Sequence, residues 1–241
     1  TLLNALVGEE RAIVAPTPGT TRDAVDASIT RAGATYVFVD TAGIRRKGKT
    51  KLMAEKLSVI MARRHLRLAD VVLLVLDAGE GVVGLDATIA GYAHEAGRAL
   101  ILCANKWDLR PEDDRRVFEA NLHDELKFLD YAPMAFISAL TGAGVGKLLP
   151  RIRQAYESSS QRVTTGELNR FVESLELARE PRVLYITQAG VRPPTFILFT
   201  DRREPLHFSQ ERHLINQLRR RFHFTATPIV LKTRFRRRRS G

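Results

Sequence analysis

The sequence predicts an α/β protein, a mostly parallel sheet with helices on both faces, followed by a small α+β domain. Three observations carry this. Four short runs rich in Val, Ile, Leu or Phe recur over residues 35–139, each running into a polar or Gly-containing loop. Amphipathic segments of helical length lie between them, the pattern of βαβ units. The charge then divides the chain. Residues 1–150 hold 19 Lys and Arg against 19 Asp and Glu, and residues 151–241 hold 19 against 8, so the whole excess of +11 lies in the second part.

In chain order, "AVDASITRAGATYVFVD" (24–40) reads as strand, turn at Ala32–Gly33, strand: a hairpin giving the sheet an antiparallel edge. An amphipathic segment at 51–68 precedes the strand "DVVLLVLDA" (70–78). A helix at 85–97 leads to "ALILCAN" (99–105), and one at 112–128 to "PMAFISA" (133–139). A last helix spans 144–157. These strands are apolar at nearly every position, as expected where a parallel strand is covered on both faces. "YESSSQRVTTGE" (156–167) is poor in apolar anchors and reads as a linker. We place the domain boundary at 157/158, giving domains 1–157 and 158–241. The second domain reads helix (167–179), strand (182–189), Pro-Pro turn, strand (195–201), helix (209–222), strand (228–235), and ends in the Arg-rich run "RFRRRRSG".

Composition excludes several classes. The lone cysteine, Cys103, lies in an apolar run, which fits a small core residue in a reducing compartment and not a disulfide framework. No apolar run approaches the ~20 residues of a membrane span, and no signal-peptide pattern opens the chain. A neutral domain followed by a basic one points the second toward nucleic acid, the simpler alternative being a solvated basic surface.

Ligands in open α/β sheets bind beyond the carboxyl ends of the strands, so what each strand delivers there matters. Strand 99–105 delivers Asn105, Lys106, Trp107 and Asp108; strand 35–40 delivers Asp40, Thr41, Ala42 and Gly43; strand 133–139 delivers Ser138 and Ala139. The loop before the hairpin carries "GTTRD" with Thr21. Guanine shows two N–H donors on one edge, and the Asp108 carboxylate can accept both in a bidentate pair. Adenine lacks that donor pair and leaves the carboxylate desolvated and unpaired. Asn105 can bridge the base to neighbouring loops, and the Lys106 stem can lie over its plane. Taken alone, Asp108 could equally cap a helix near Pro111. Asp40 can hold Mg²⁺ through water, Thr21 can ligate it directly, and Gly43 lets backbone N–H approach a phosphate. Ser138 and Ala139 offer backbone N–H groups to the base oxygen.

In this order, "GTTRD", "DTAGI", "NKWD" and "SAL" resemble the G2 to G5 motifs of translation-factor-like P-loop GTPases. "DTAGIRRKG" (40–48), "ADVVLLVLDAGEG" (69–81) and "PPTFILFTDRREPLHFSQERHLINQLRRRFHFTATPI" (193–229) extend the resemblance to the bacterial Der (EngA) ribosome-biogenesis GTPases, over nearly the whole chain. The resemblance implies the second G domain and the KH-like domain of a protein with two tandem G domains. It implies a switch that binds GTP or GDP with Mg²⁺, hydrolyses GTP, and serves assembly of the large ribosomal subunit in contact with its rRNA. It further implies a cytoplasmic, ribosome-associated monomer. Thr21, Asp40 and Gly43 are the implied catalytic positions, Thr21 and Asp40 the implied metal ligands. Residues 40–44, 105–108 and 138–139 are the implied nucleotide contacts.

Two departures matter. P-loop GTPases carry G-x-x-x-x-G-K-[ST] before the first helix, whereas this chain opens "TLLNALVG". The resemblance places Thr1 just past the phosphate loop, with the first strand, the loop Lys and the Mg²⁺-ligating Ser expected upstream. Without them triphosphate affinity is expected to be poor. Ile44 stands where Ras-like GTPases have a water-orienting Gln; the resemblance implies a class stimulated by K⁺. In the second domain no GXXG clamp is evident. Arg219, Arg220 and Arg221 on a helix, and Arg236, Arg237, Arg238 and Arg239 in the tail, remain as candidate RNA contacts. The alternatives are a domain that mainly packs on the G domain and relays nucleotide state, and a non-enzymatic RNA-binding module on a G-domain scaffold.

Overall fold

The apolar run at 99–105 becomes the central strand of the first domain. The computed structural model describes residues 2–8, 26–39, 63, 65–111, 114–175, 182–204 and 206–235. Its first elements are α1 (Leu2–Gly8) and the hairpin β1 (Asp26–Arg31) and β2 (Ala34–Val39). The turn falls at Ala32–Gly33, both at positive φ (47° and 75°), which matches the twist of a two-residue hairpin. β3 (Val71–Asp77), β4 (Ala99–Asn105) and β5 (Met134–Phe136) form a parallel sheet in that order. The hairpin is a separate antiparallel ladder; among the described residues it does not pair with β3. It joins the same core through Ile29, Tyr36 and Phe38. Most of the segment 51–68 lies outside the described residues, with 65–68 helical.

Period two along β4 sends alternate residues to opposite faces. Leu100 and Leu102 pack with Leu122 of α3 (Arg115–Glu125) and with α2 (Gly84–Glu95). Ile101 and Cys103 face α1 and α4 (Leu148–Ser160). β4 is therefore buried along its length, which is why it reads as continuously apolar. Burial also pushes the Cys103 thiol up to about 12.

The second domain consists of α5 (Thr165–Glu173), β6 (Val183–Gly190), β7 (Thr195–Thr200), α6 (Phe208–Phe222) and β8 (Val230–Phe235). Its sheet runs β6-β7-β8, antiparallel then parallel, and both helices pack on one face over Ile186, Phe196 and Leu198. The α-β-β-α-β order expected from sequence is the observed one. Thr164 opens α5 with a capping box: its Oγ1 accepts from Glu167 N–H at 3.3 Å, and its own N–H donates to Glu167 Oε2 at 3.1 Å.

The predicted linker is a difference. α4 continues through the expected 157/158 boundary to Ser160, leaving residues 161–164 as the connection. Ser158 and Ser159 are buried, and the Ser158 hydroxyl accepts from Thr225 N–H at 2.8 Å. The serines look like linker because they are polar, but being small they let the two domains approach. That approach falls at the amino ends of the first domain's strands. Leu100 N–H donates to Ala226 C=O (2.7 Å), Ala226 N–H donates to Tyr131 C=O (3.1 Å), and Gln161 Nε2 donates to Phe222 C=O (3.0 Å). Arg192 Nη1 reaches Tyr156 Oη at 3.0 Å and Asp70 Oδ1 at 3.4 Å.

Candidate nucleotide-binding site

β4 and β5 end side by side, and their following loops are tied together by backbone. Ile137 N–H donates to Ala104 C=O (2.9 Å) and Trp107 N–H donates to Ile137 C=O (3.0 Å). Asn105 completes the tie: its Oδ1 accepts from Ala139 N–H at 2.9 Å. Asn105 thus joins the two loops to each other, whereas the bridge expected of it runs from a base to the loops. Ser138 is buried; its N–H donates to Ala143 C=O (2.9 Å) and its Oγ accepts from Thr141 N–H (3.2 Å). The N–H groups of Ser138 and Ala139, expected to face a base oxygen, are both engaged inside the protein. A base oxygen reaching Ala139 N–H has to share it with Asn105.

The return of this loop depends on Gly144. Its φ is 75°, and a Cβ there would lie 2.4 Å from Phe136 C=O, so only glycine permits the approach.

Lys106 has left-handed backbone (φ 62°, ψ 32°), and its Nζ lies 2.5 Å from Asp77 Oδ2 at the end of β3. Asp77 also accepts from Gly79 N–H at 2.8 Å. The Lys106 ammonium, then this N–H, holds the Asp77 carboxyl below its ordinary range, and Asp77 in turn raises the Lys106 pKa. Arg110 Nη1 donates to Ala78 C=O (2.9 Å), joining the end of β3 to the same loop. Sequence reasoning missed Asp77 and Arg110. The signal available was that Asp77, like Asn105, ends a parallel strand, and the two are paired in register.

Trp107 does not face the mouth. Its indole is buried and edge-on to Phe118 (5.4 Å) and Phe136 (4.3 Å), anchoring the loop in the core. Asp108 is exposed, and with Ser138 it lines a cavity of about 430 Å³ that runs along the outer edge of β5 beside Arg115 and Lys147. No helix starts on Asp108: it lies within a 3-10 turn (Trp107–Leu109) that has no side-chain cap. Leu140, next to Ala139, is 90% exposed, an apolar side chain standing at the mouth.

Thr21, Asp40, Thr41, Ala42, Gly43 and Ile44 lie outside the described residues, as do Arg236, Arg237, Arg238 and Arg239. Gly43–Thr50 also fits the pattern G-x-x-x-x-G-K-T, which sequence reasoning passed over; these residues too lie outside the described set. Of the candidate RNA contacts, Arg220 and Arg221 are exposed on α6. Arg219 is a correction. Its Nη1 donates to the carbonyls of Thr227 (2.9 Å) and Phe224 (3.1 Å), and its guanidinium lies over the Tyr131 ring at 5.0 Å. Helix periodicity turns it away from its two neighbours and into the domain interface.

Comparison with known proteins bears on both domains. A family described as "50S ribosome-binding GTPase" matches residues 1–106, and one described as "KH-domain-like of EngA bacterial GTPase enzymes, C-terminal" matches residues 162–234. GTPase Der of Syntrophobacter fumaroxidans is 47% identical over 252 residues, covering 100% of this chain and 56% of that protein. The chain belongs to the GTPase Der family. GTPase Der of Moorella thermoacetica is 48% identical over 95% of this chain and 55% of its own length. The chain spans about half the length of the Der relatives it matches. Among solved structures, Era of Aquifex aeolicus bound to GDP·AlF4⁻ aligns with a TM-score of 0.51 at 21% identity, covering 97% of this chain and 87% of Era. Era in complex with MgGDPNP and nucleotides 1506–1542 of 16S ribosomal RNA aligns equally, at 22% identity. At such identity the likeness is one of fold: a GTPase-type α/β domain followed by a KH-like domain. No helix among the described residues is long and apolar enough to cross a membrane.

Proposed function

We propose that this Der-family chain is the guanine-recognising and RNA-docking part of a GTP-hydrolysing switch that serves assembly of the large ribosomal subunit. The observation that carries the reading is the Asn105–Ala139 bond, which locks two strand-end loops into one mouth with the Asp108 carboxylate exposed beside it. A free carboxylate there fits the paired N–H edge of guanine. We read the Lys106 stem as the cover over the base plane, a reading supported by the tether of its ammonium to Asp77 at the neighbouring strand end. GTP and GDP are the nucleotides, Mg²⁺ the metal, with Thr21 and Asp40 as its ligands from this chain. K⁺ supplies charge stabilisation where Ile44 cannot orient water. Gly43 serves the phosphate side. The matched family descriptions and the nucleotides held by the two Era structures support this. Rings of backbone N–H and a loop Lys supply most triphosphate affinity in P-loop proteins, and GTP turnover is a property we assign to the whole protein. Its partners are ribosomal RNA and the large subunit, and it works as a cytoplasmic monomer.

Asp108→Asn tests the base assignment. In the complete protein with Mg²⁺ and KCl, GTPase activity is expected to fall and xanthosine triphosphate to become the preferred substrate, because Asn offers a donor where guanine also donates. Turnover of both nucleotides unchanged by the substitution contradicts the assignment. A second reading is a non-enzymatic RNA-binding module on a G-domain scaffold. The confinement of the +11 excess to residues 151–241 favours it. Absence of GTP turnover by the complete protein, with RNA binding retained, would select this reading.

A further inference from the structure

The junction between the two domains turns on Tyr131, which is buried and held in three ways. Its C=O accepts from Ala226 N–H (3.1 Å), its ring lies under the Arg219 guanidinium (5.0 Å), and its Oη pairs with His94 Nδ1 of α2 at 3.0 Å. Arg219 also donates to the carbonyls of Phe224 and Thr227, so it holds the turn that carries Ala226. Ala226 C=O in turn accepts from Leu100 N–H (2.7 Å). His94 thus bears on the second domain through one hydroxyl. Its ring is half-buried, edge-on to Phe128 (5.6 Å) and tilted against Tyr131 (5.7 Å). The charged groups acting on it are Glu95 on its own helix, which pairs with Arg63 at 4.0 Å, Asp130 in the segment before β5, and Arg219 on α6. The two carboxylates favour an imidazolium; burial and Arg219 oppose it, and burial prevails.

We propose that His94 is a proton-operated latch on the domain junction: neutral, it secures Tyr131 against Arg219 and Ala226, and protonated, it loosens the second domain from the first. In an imidazolium both ring nitrogens are donors, so the Tyr131 hydroxyl can no longer donate to Nδ1. The new cation is half-buried, and Arg219, a like charge, already occupies the Tyr131 ring. Burial lowers the His94 pKa from its ordinary 6.5, so the latch's contribution is complete above 6.5 and is lost as the pH falls from there through the lowered value. Histidine is the side chain whose charge a small change near neutrality can switch. The latch lies at the amino ends of the first domain's strands, whereas Asn105 and Asp108 lie at their carboxyl ends. It requires no nucleotide, so it and the nucleotide-site reading fail separately.

The test is amide hydrogen exchange of the full chain, followed by NMR from about pH 7.5 to about pH 5.5 and expressed as protection relative to an unstructured amide at the same pH. Protection of Ala226 N–H, which crosses the junction to Tyr131, is expected to fall with pH by up to about ten-fold per unit, the limit for one proton. Ile137 N–H, bound to Ala104 C=O inside the first domain, and Ile186 N–H, bound to Asn169 Oδ1 inside the second, are expected to keep their protection. The His94 ring protons are expected to titrate below 6.5. His94→Gln keeps a hydrogen-bonding group without the titration and is expected to leave Ala226 protection level across the range. The parent's exchange profile and ring titration need no variant, so a misfolded His94→Gln leaves the test intact. The proposal is overturned if Ala226 protection in the parent is level with pH, or if His94 titrates at or above 6.5. A fall that persists in His94→Gln gives the effect to another histidine, and parallel loss at all three amides means that the chain unfolds as a whole; either overturns it too.

Discussion

Lys106 and Asp77 show how one residue pair prepares a site. Left-handed backbone at Lys106 is uncommon for a side chain of that size, and the 2.5 Å contact to Asp77 is what it secures. Because the folded carboxyl titrates below its ordinary value, the pair's contribution is complete above that value, about 3.9, and disappears as pH falls through the lowered one. The Asp77 carbon resonance is expected to titrate below the ordinary carboxylate range in the parent and at a higher pH in Lys106→Met, where only the Gly79 N–H remains to hold it down; equal midpoints would mean that the pair does not form in solution. Both groups are accessible enough that the effect on global stability is small. Asn105, Lys106 and Asp108 stand out in the sequence because three polar side chains interrupt an apolar run. Trp107 could not be placed so directly. Among polar neighbours it looks like a ligand contact, and only the presence of Phe118 and Phe136 on other elements assigns it to the core.

At the scale of elements, β4 is gripped at both ends: Leu100 meets Ala226 of the second domain, and Asn105 meets the loop after β5. The turn before it is equally constrained. Gly97 has φ +70°, and a Cβ there would lie 2.6 Å from the Pro193 ring across the domain boundary. Gly97→Ala is therefore expected to cost about 2 kcal/mol, from backbone strain and the collision together. Chemical denaturation measures it, and Gly91→Ala, inside α2 with open space around it, serves as the control expected to be neutral or stabilising. The strands of the first domain were legible from apolar runs, and the hairpin turn from Ala32–Gly33. The end of α4 was misread because hydropathy scores a serine the same whether it faces water or a neighbouring domain.

The whole molecule gives Arg219, Arg220 and Arg221 different duties. Arg219→Ala strips the carbonyls of Phe224 and Thr227 of their shared donor and is expected to destabilise the chain by about 2 kcal/mol, read by urea unfolding. Arg220→Ala and Arg221→Ala are expected to change stability by less than about 0.5 kcal/mol. Together they should reduce the salt slope of duplex RNA binding by about 1.8. Were Arg219→Ala silent in stability, the interface would not be held as drawn. The basic half of the chain is legible in the sequence as a charge; which of its cations reach solvent is settled by packing. One buried group has a practical consequence at this scale. The single thiol, at Cys103, is enclosed by core and titrates near 12, so it stays unreactive toward maleimides at neutral pH. Dyes or spin labels can be placed on one introduced cysteine in each domain with the native one left untouched, and the distance between them followed directly as ligands are added.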